Sequence, residues 1–248
     1  MNRYLLVLCG IPASGKTTLA MKLQELLATK GEIRLVSTDR WRDRAYYEDF
    51  TPEKENEVRE QAIEETRDYL AQGFSVIHDD TNYYASMRHE LYILAMENEY
   101  SFGIIHIETP LEIAMEWNKQ RENPLSEDII MKIHERFDIP GSRYSWDNPI
   151  DHVDLSKIDL NLVVPQLVKK LDKLQPLEFP KKAIPGYAEF YDKLTRQIVN
   201  AFLKDAEEMR ENPEVSNLRK EVLKEAIAGN MTSDQVRQLL LTKLENLG

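Results

Sequence analysis

Gly10-Ile11-Pro12-Ala13-Ser14-Gly15-Lys16-Thr17 carries the spacing G-x-x-x-x-G-K-T. Glycines at the ends of such a loop let backbone N–H groups turn inward and wrap an anion. A helix that starts at the loop's end aims its positive terminus at the same point. The ammonium of Lys16 then reaches the outer oxygens of a polyphosphate, and the Thr17 hydroxyl can ligate Mg²⁺. Residues Gly10, Ile11, Pro12, Ala13, Ser14, Gly15, Lys16, Thr17 and Thr18 therefore form a candidate cradle for the phosphates of ATP or GTP. The spacing also occurs by chance, so it carries weight only between a buried strand and a helix.

Further along, Asp79 ends an apolar run in V-I-H-D-D. A carboxylate in that place, beside a phosphate loop, holds Mg²⁺ through water. Asp80 is adjacent, and spacing does not separate the two. Asp39, in S-T-D-R-W-R, follows another apolar segment. It could orient or deprotonate an attacking hydroxyl, or serve as a helix N-cap. Arg121, in W-N-K-Q-R, lies on a charged segment that could close over a transferring phosphoryl group and stabilise its charge. Arg42 and Arg136 are candidates of the same kind, and each also reads as an ordinary surface arginine. Trp41, Trp117 and Trp146 could stack on bases, but packing in the core or a lid suits them as well. The five histidines are scattered, so no Cys–His metal cluster is expected.

The elements that must position these residues follow from hydrophobic periodicity. Residues 4–9 are continuously apolar, as in a strand buried on both faces. Residues 18–30 repeat apolar positions at helical spacing, and Gly31 ends them as a C-cap. Strands are expected at 33–36, 74–77, 102–107 and 153–155. Helices are expected at 52–72, 86–99, 111–119, 126–137 and 162–174. Alternation of this kind predicts an α/β fold, a parallel sheet flanked by helices. Residues 176–186, with Pro176, Pro180 and Pro185, read as a linker. Helices at 187–209, 215–228 and 233–247 then read as a small all-α C-terminal domain. The expected division is 1–175, 176–186 and 187–248.

Composition bounds the partners. The chain has 248 residues, 42% hydrophobic and 30% charged, enough for a real core. Its net charge of −11 argues against nucleic-acid binding through a diffuse positive field. That charge is uneven: residues 180–248 hold 11 basic and 11 acidic residues, so the preceding part carries the whole excess. A neutral tail is the less hostile surface for RNA. No apolar run approaches the roughly 20 residues that span a bilayer, and the N-terminus lacks a signal-peptide pattern. The single cysteine, Cys9, sits among apolar neighbours and reads as a buried small hydrophobe. These features predict a cytoplasmic protein.

Three longer motifs are more specific than the phosphate loop. T-D-R-W-R (Thr38 to Arg42), D-D-T-N-Y-Y-x-S-M-R (Asp79 to Arg88) and F-D-x-P-G-x-x-Y-x-W-D-x-P (Phe137 to Pro149) closely resemble the archaeal O-phosphoseryl-tRNA(Sec) kinase family. The resemblance implies a P-loop kinase domain that uses ATP and Mg²⁺ to phosphorylate the serine of seryl-tRNA(Sec). It implies a helical C-terminal domain that recognises the tRNA, and a homodimer. Carried over residue by residue, Asp39 matches the aspartate that activates the hydroxyl, with Arg42 beside it. Glu53, Tyr83, Tyr84 and Met87 match residues near the aminoacylated end. One departure stands out: Trp117 occupies the first position of an expected R-x-x-x-R pair in the lid, leaving Arg121. The E-W-N-K segment around it is similar instead to a sister family, the P-loop ATPases that assist the Elongator tRNA-modification complex. A small-molecule or polynucleotide-end kinase on the same scaffold is a third possibility, because fold does not fix substrate.

Overall fold

The computed structural model describes residues 3–42, 46, 51–179 and 187–247. They separate into two compact units, Met1–Glu178 and Phe179–Gly248. In the first unit, strands β1 (Tyr4–Cys9), β2 (Ile33–Ser37), β3 (Ser75–Asp79), β4 (Ser101–Ile107) and β5 (Asp151–Val153) form one five-stranded sheet. The spatial order is β2-β3-β1-β4-β5, and every pairing is parallel. Each strand therefore ends at the same edge, where ligands bind in open α/β sheets.

The central strands explain the continuous apolar runs. Every residue of β1 is buried, because helices cover both faces. On one face Leu6, Leu8, Ile105 and Ile107 pack with Leu19, Leu23 and Leu27 of α1 (Lys16–Ala28) and with Val164, Leu167 and Leu171 of α6 (Leu160–Leu171). On the other, Leu5, Val7, Val76 and Ile104 pack with Ala62 and Leu70 of α2 (Pro52–Ala71) and with Leu91 and Leu94 of α3 (Ala85–Glu97). Helix α2 starts where local chemistry dictates: Thr51 accepts from the Lys54 N–H, and Pro52 takes the first turn, where its missing N–H costs nothing. Two shorter helices, α4 (Leu111–Lys119) and α5 (Glu127–Glu135), follow β4.

Two expectations need correction. The last strand lies at Asp151–Val153, not 153–155, because it pairs in register with Ile105–Ile107. Leu155 is thereby freed to lie against Gly15 of the phosphate loop. The beginning of the expected linker belongs to the first unit: Pro176 bridges Ser101, the Leu177 N–H donates to the Tyr100 carbonyl, and Leu177 packs on the core. Residues 180–186 of that expected linker lie outside the described residues.

The second unit contains α7 (Tyr187–Asp205), α8 (Pro213–Gly229) and α9 (Ser233–Glu245), which pack on one another. They bury Tyr187, Tyr191, Leu194, Val222, Ala226, Val236, Leu240 and Leu244. Asn212 and Pro213 start α8, Asn230 ends it in the left-handed conformation, and Thr232 with Gln235 forms a capping box on α9. Among the described residues, no helix is long and apolar enough to cross a membrane.

One buried histidine makes the first unit sensitive to acid. His78 in β3 is buried, with Nδ1 2.9 Å from the Thr66 hydroxyl. Burial drives its pKa from 6.5 down to about 4, with Asp80 opposing. The unfolded chain takes up this proton near pH 6.5 and the folded chain only near 4, so stability falls as pH drops through that window. Between pH 7.5 and 5 this residue is expected to remove about 2 kcal/mol. Urea denaturation at both pH values checks it: His78→Gln should show a pH dependence smaller by that amount, and an unchanged dependence would clear His78 of the effect.

Candidate active site

Everything the motifs singled out near the phosphate loop lies at the carboxyl edge of the sheet. The loop joins β1 to α1, with Gly15 at the helix N-cap in the left-handed conformation, φ 93°. Gly10 is equally constrained: a Cβ there would lie 2.8 Å from the Ile107 carbonyl oxygen. The loop is held from outside, since the Gly10 N–H donates to the Thr81 carbonyl (3.1 Å) and the Thr109 hydroxyl to the Ser14 carbonyl (2.9 Å). Inside, the Ser14 hydroxyl is buried without a hydrogen-bond partner. Lys16 is buried, and its Nζ donates to the Ile11 carbonyl at 2.7 Å. Burial pushes the Lys16 pKa down, while the carboxylates of Asp79, Asp80 and Asp39 pull the other way. An orphan hydroxyl, a cationic side chain and a glycine cradle fit a bound polyphosphate.

Asp79, the last residue of β3, and Asp80, the first beyond it, meet different partners. Asp79 Oδ2 accepts from the hydroxyls of Thr17 (2.7 Å) and Ser37 (3.0 Å). Burial pushes its pKa up, countered by Lys16. An alcohol and a carboxylate oxygen side by side suit a hard cation such as Mg²⁺. Asp80 instead accepts from the Thr38 hydroxyl (2.9 Å) and from Arg42 Nη2 (3.3 Å). Burial would raise its pKa, but Arg42 and His78 outweigh that and hold it below the usual carboxylate range.

Arg42 is the hub of a second polar cluster. Just after a 3₁₀ turn (Thr38–Trp41), its guanidinium donates to Thr38 Oγ1 (2.8 Å), Asp39 Oδ1 (3.2 Å), Asp80 and both oxygens of Glu55 (2.7 and 3.3 Å). Burial alone would lower the pKa of Arg42, but Asp80 and Glu55 raise it. The other oxygen of Asp39 accepts from Arg121 Nη2 at 3.2 Å. Asp39 is thus gripped by two arginines from distant segments while its side chain stays 44% exposed.

The remaining expected residues divide. The rings of Tyr83 and Tyr84 lie 4.2 Å apart before α3, and Met87 is buried in its first turn. Burial raises the Tyr83 pKa, with Tyr84 and Glu55 adding to it and Arg136 opposing, which puts this tyrosine in the field of Glu55. Glu53 is exposed, and Glu55 is the acid on Arg42. Two residues turn a helix by about 200°, so only one of them can face the cluster. The signal was present: Glu55 continues the stripe of buried Val58 and Ala62. Arg136 is exposed at the C-cap of α5. Trp117 packs toward Gly15, 3.4 Å from where a Cβ would sit. Trp41 packs against the core beneath Arg40, and Trp146 sits between Tyr92, His89 and Tyr144.

Not foreseen from sequence is the brace beneath the site. Arg88 is fully buried and donates to both oxygens of Asp147 (2.7 and 2.6 Å) and to the carbonyls of Asn82 (2.8 Å) and Asp138 (2.9 Å). Asp138 in turn donates its N–H to the Tyr83 carbonyl at 2.8 Å. The tyrosine-bearing turn and the W-D-N-P segment are therefore one structural unit.

A phosphate loop between the first strand and helix of this parallel sheet, with an acid of the neighbouring strand on Thr17, defines a P-loop kinase fold. A family model described as "Chromatin associated protein KTI12" matches residues 4–243, and the chain belongs to that family. The L-seryl-tRNA(Sec) kinase of Methanococcus maripaludis is 30% identical over 234 residues, 89% of each chain. The KTI12 homologue of Xenopus laevis is 28% identical over 210 residues, covering 80% of this chain and 74% of the relative. The crystal structure of Chaetomium thermophilum Kti12 in complex with ADP-AlF3 superposes with a TM-score of 0.57 at 22% identity, over 67% of this chain and 98% of that one. This last likeness concerns the fold.

Proposed function

We propose that this protein transfers the γ-phosphoryl group of ATP to the serine hydroxyl of seryl-tRNA(Sec). The observation that carries the reading is Asp39, held between Arg42 and Arg121 and still exposed, at the edge where Lys16 and the phosphate loop converge. Identity to an L-seryl-tRNA(Sec) kinase over nearly the whole chain supports the choice of acceptor. Loop N–H groups and Lys16 bind and orient the triphosphate, and Lys16 leaves the Ile11 carbonyl for the phosphate oxygens. Asp39 accepts the hydrogen bond of the incoming hydroxyl and aims it. Arg42 and Arg121 fix Asp39 and offset charge on the transferring group. Thr17 and Asp79 would hold Mg²⁺, which would supply further charge neutralisation when bound. Tyr83, Tyr84 and Met87 line the approach of the aminoacylated end. The helical C-terminal unit, net neutral in an acidic chain, is the surface we assign to the tRNA. Phosphoryl transfer needs little covalent help from protein, so positioning and electrostatics suffice.

A second reading is a tRNA-stimulated ATPase that assists an Elongator-type modification complex. Trp117 against the phosphate loop, where the kinase resemblance calls for arginine, favours it, as does the family model. One experiment separates them: γ-labelled ATP with seryl-tRNA(Sec), seryl-tRNA(Ser) and free serine in parallel. The kinase yields labelled phosphoserine on tRNA, whereas the ATPase releases labelled phosphate and leaves the aminoacyl group unmodified. Asp39→Asn is expected to lower transfer by about 10²–10⁴-fold while ATP binding stays near wild type. Normal transfer by that variant removes Asp39 from the acceptor site.

A further inference from the structure

Histidines that are scattered in sequence meet through strand register. In the parallel pairing of β4 with β5, His106 stands opposite His152. Glu108 comes two residues after His106, so strand alternation returns its side chain to the same face. Three donor atoms converge there. His106 Nδ1 lies 3.4 Å from His152 Nδ1 and 3.2 Å from Glu108 Oε1, and His152 Nδ1 lies 2.7 Å from that same oxygen. Ligand atoms on a tetrahedral metal at about 2.0–2.1 Å stand about 3.3 Å apart. Two edges of the triangle match this spacing. The third is short because His152 and Glu108 share a proton, which a metal would displace.

The surroundings suit a site rather than a chance contact. The side chain of His106 is only 9% exposed, and its ring stacks on Phe137 at 5.4 Å and 18°, so one ligand is preset. His152 and Glu108 are 48% and 46% exposed, which opens a path for a hydrated ion and leaves room for a water ligand. The strand ends are locked together by the Glu108 N–H donating to the Val153 carbonyl at 2.9 Å.

We propose that His106, Glu108 and His152 bind a first-row transition-metal dication, with Zn²⁺ the fitting ion. Two imidazoles and one carboxylate match Zn²⁺, Co²⁺ or Ni²⁺, whereas Mg²⁺ wants oxygen ligands. The site is separate from the Thr17–Asp79 pair, because β1 lies between β3 and β4. Its occupancy would staple the edge strand β5 to β4 just before Thr109, whose hydroxyl holds the phosphate loop at the Ser14 carbonyl.

The test uses the full-length chain without an affinity tag, free of nucleotide and in excess Mg²⁺. Calorimetric titration with ZnCl₂ should give one equivalent bound. Both exposed ligands can be changed without opening the core. His152→Ala and Glu108→Gln should each weaken binding by at least about tenfold, the loss typical even of groups one shell further out. Co²⁺ should give visible tetrahedral absorption bands that vanish in His152→Ala. His134→Ala, at an exposed histidine that is not one of the three ligands, should bind as wild type does. No stoichiometric binding by the wild-type chain, or equal affinity in the His152 and Glu108 variants, would overturn the proposal.

Discussion

Lys16→Ala should lower kcat by about 10²–10³-fold and raise KM for ATP as well, because the ammonium both binds the triphosphate and stabilises charge in the transition state. The ammonium is buried and rests on the Ile11 carbonyl, so it is already inside the cradle. Asp79, Asp80 and Asp39 are the carboxylates acting on it. Without Lys16 the triphosphate meets more of their negative charge, and the charge developing on the transferring group loses one of its counter-charges. Lys16→Arg should not restore the rate: a planar fork does not fit a pocket shaped around a point charge. Thermal unfolding of the same variant separates lost activity from lost fold. Initial rates with γ-labelled ATP and thermal unfolding of the same preparations check this. A variant that keeps more than about a tenth of the wild-type rate would remove Lys16 from the chemistry.

Asp147→Ala should cost about 3–5 kcal/mol of stability, the largest loss we expect from a single polar substitution. The pair it breaks is dry: the Arg88 side chain is 0% and that of Asp147 2% exposed. After the change the guanidinium keeps two carbonyl acceptors but loses its counter-charge and a bidentate partner. Arg88→Met/Asp147→Leu should recover much of the loss, since an apolar pair of similar volume removes both buried charges at once. Urea denaturation of the three proteins checks it, and a loss under about 1 kcal/mol would mean that the brace is replaceable. A functional effect should follow. Arg88 holds the Asn82 and Asp138 carbonyls, and Asp138 holds Tyr83, so KM for the acceptor should rise more than kcat falls.

The two kinds of expectation fared differently for physical reasons. The phosphate loop and the helix after it were legible because their determinants are contiguous: glycine torsions, a dipole and side chains within one turn. The alternation of apolar runs and amphipathic stretches likewise announced a parallel sheet. Errors arose where pairing or helix phase decides. The last strand moved to Asp151–Val153 under the register of β4. Glu55, the acid on Arg42, was missed because the phase of helix α2, set by the buried stripe through Val58 and Ala62, decides which side chain faces the cluster.

By itself, then, the sequence determined that this protein builds a phosphate cradle on a buried strand, that an acid stands at the neighbouring strand's end, and that a helical unit follows. Only the tertiary structure decided which acid meets Thr17 and which meets Arg42, because Asp79 closes β3 while Asp80 is the first residue beyond it and turns to different partners. It also decided that Asp39 is gripped by both Arg42 and Arg121, and that His106 faces His152 across two strands. The cradle depends on neighbours in the chain. The double grip on Asp39, the brace and the histidine pair depend on residues far apart in the chain, which meet only once the sheet has set its order and register.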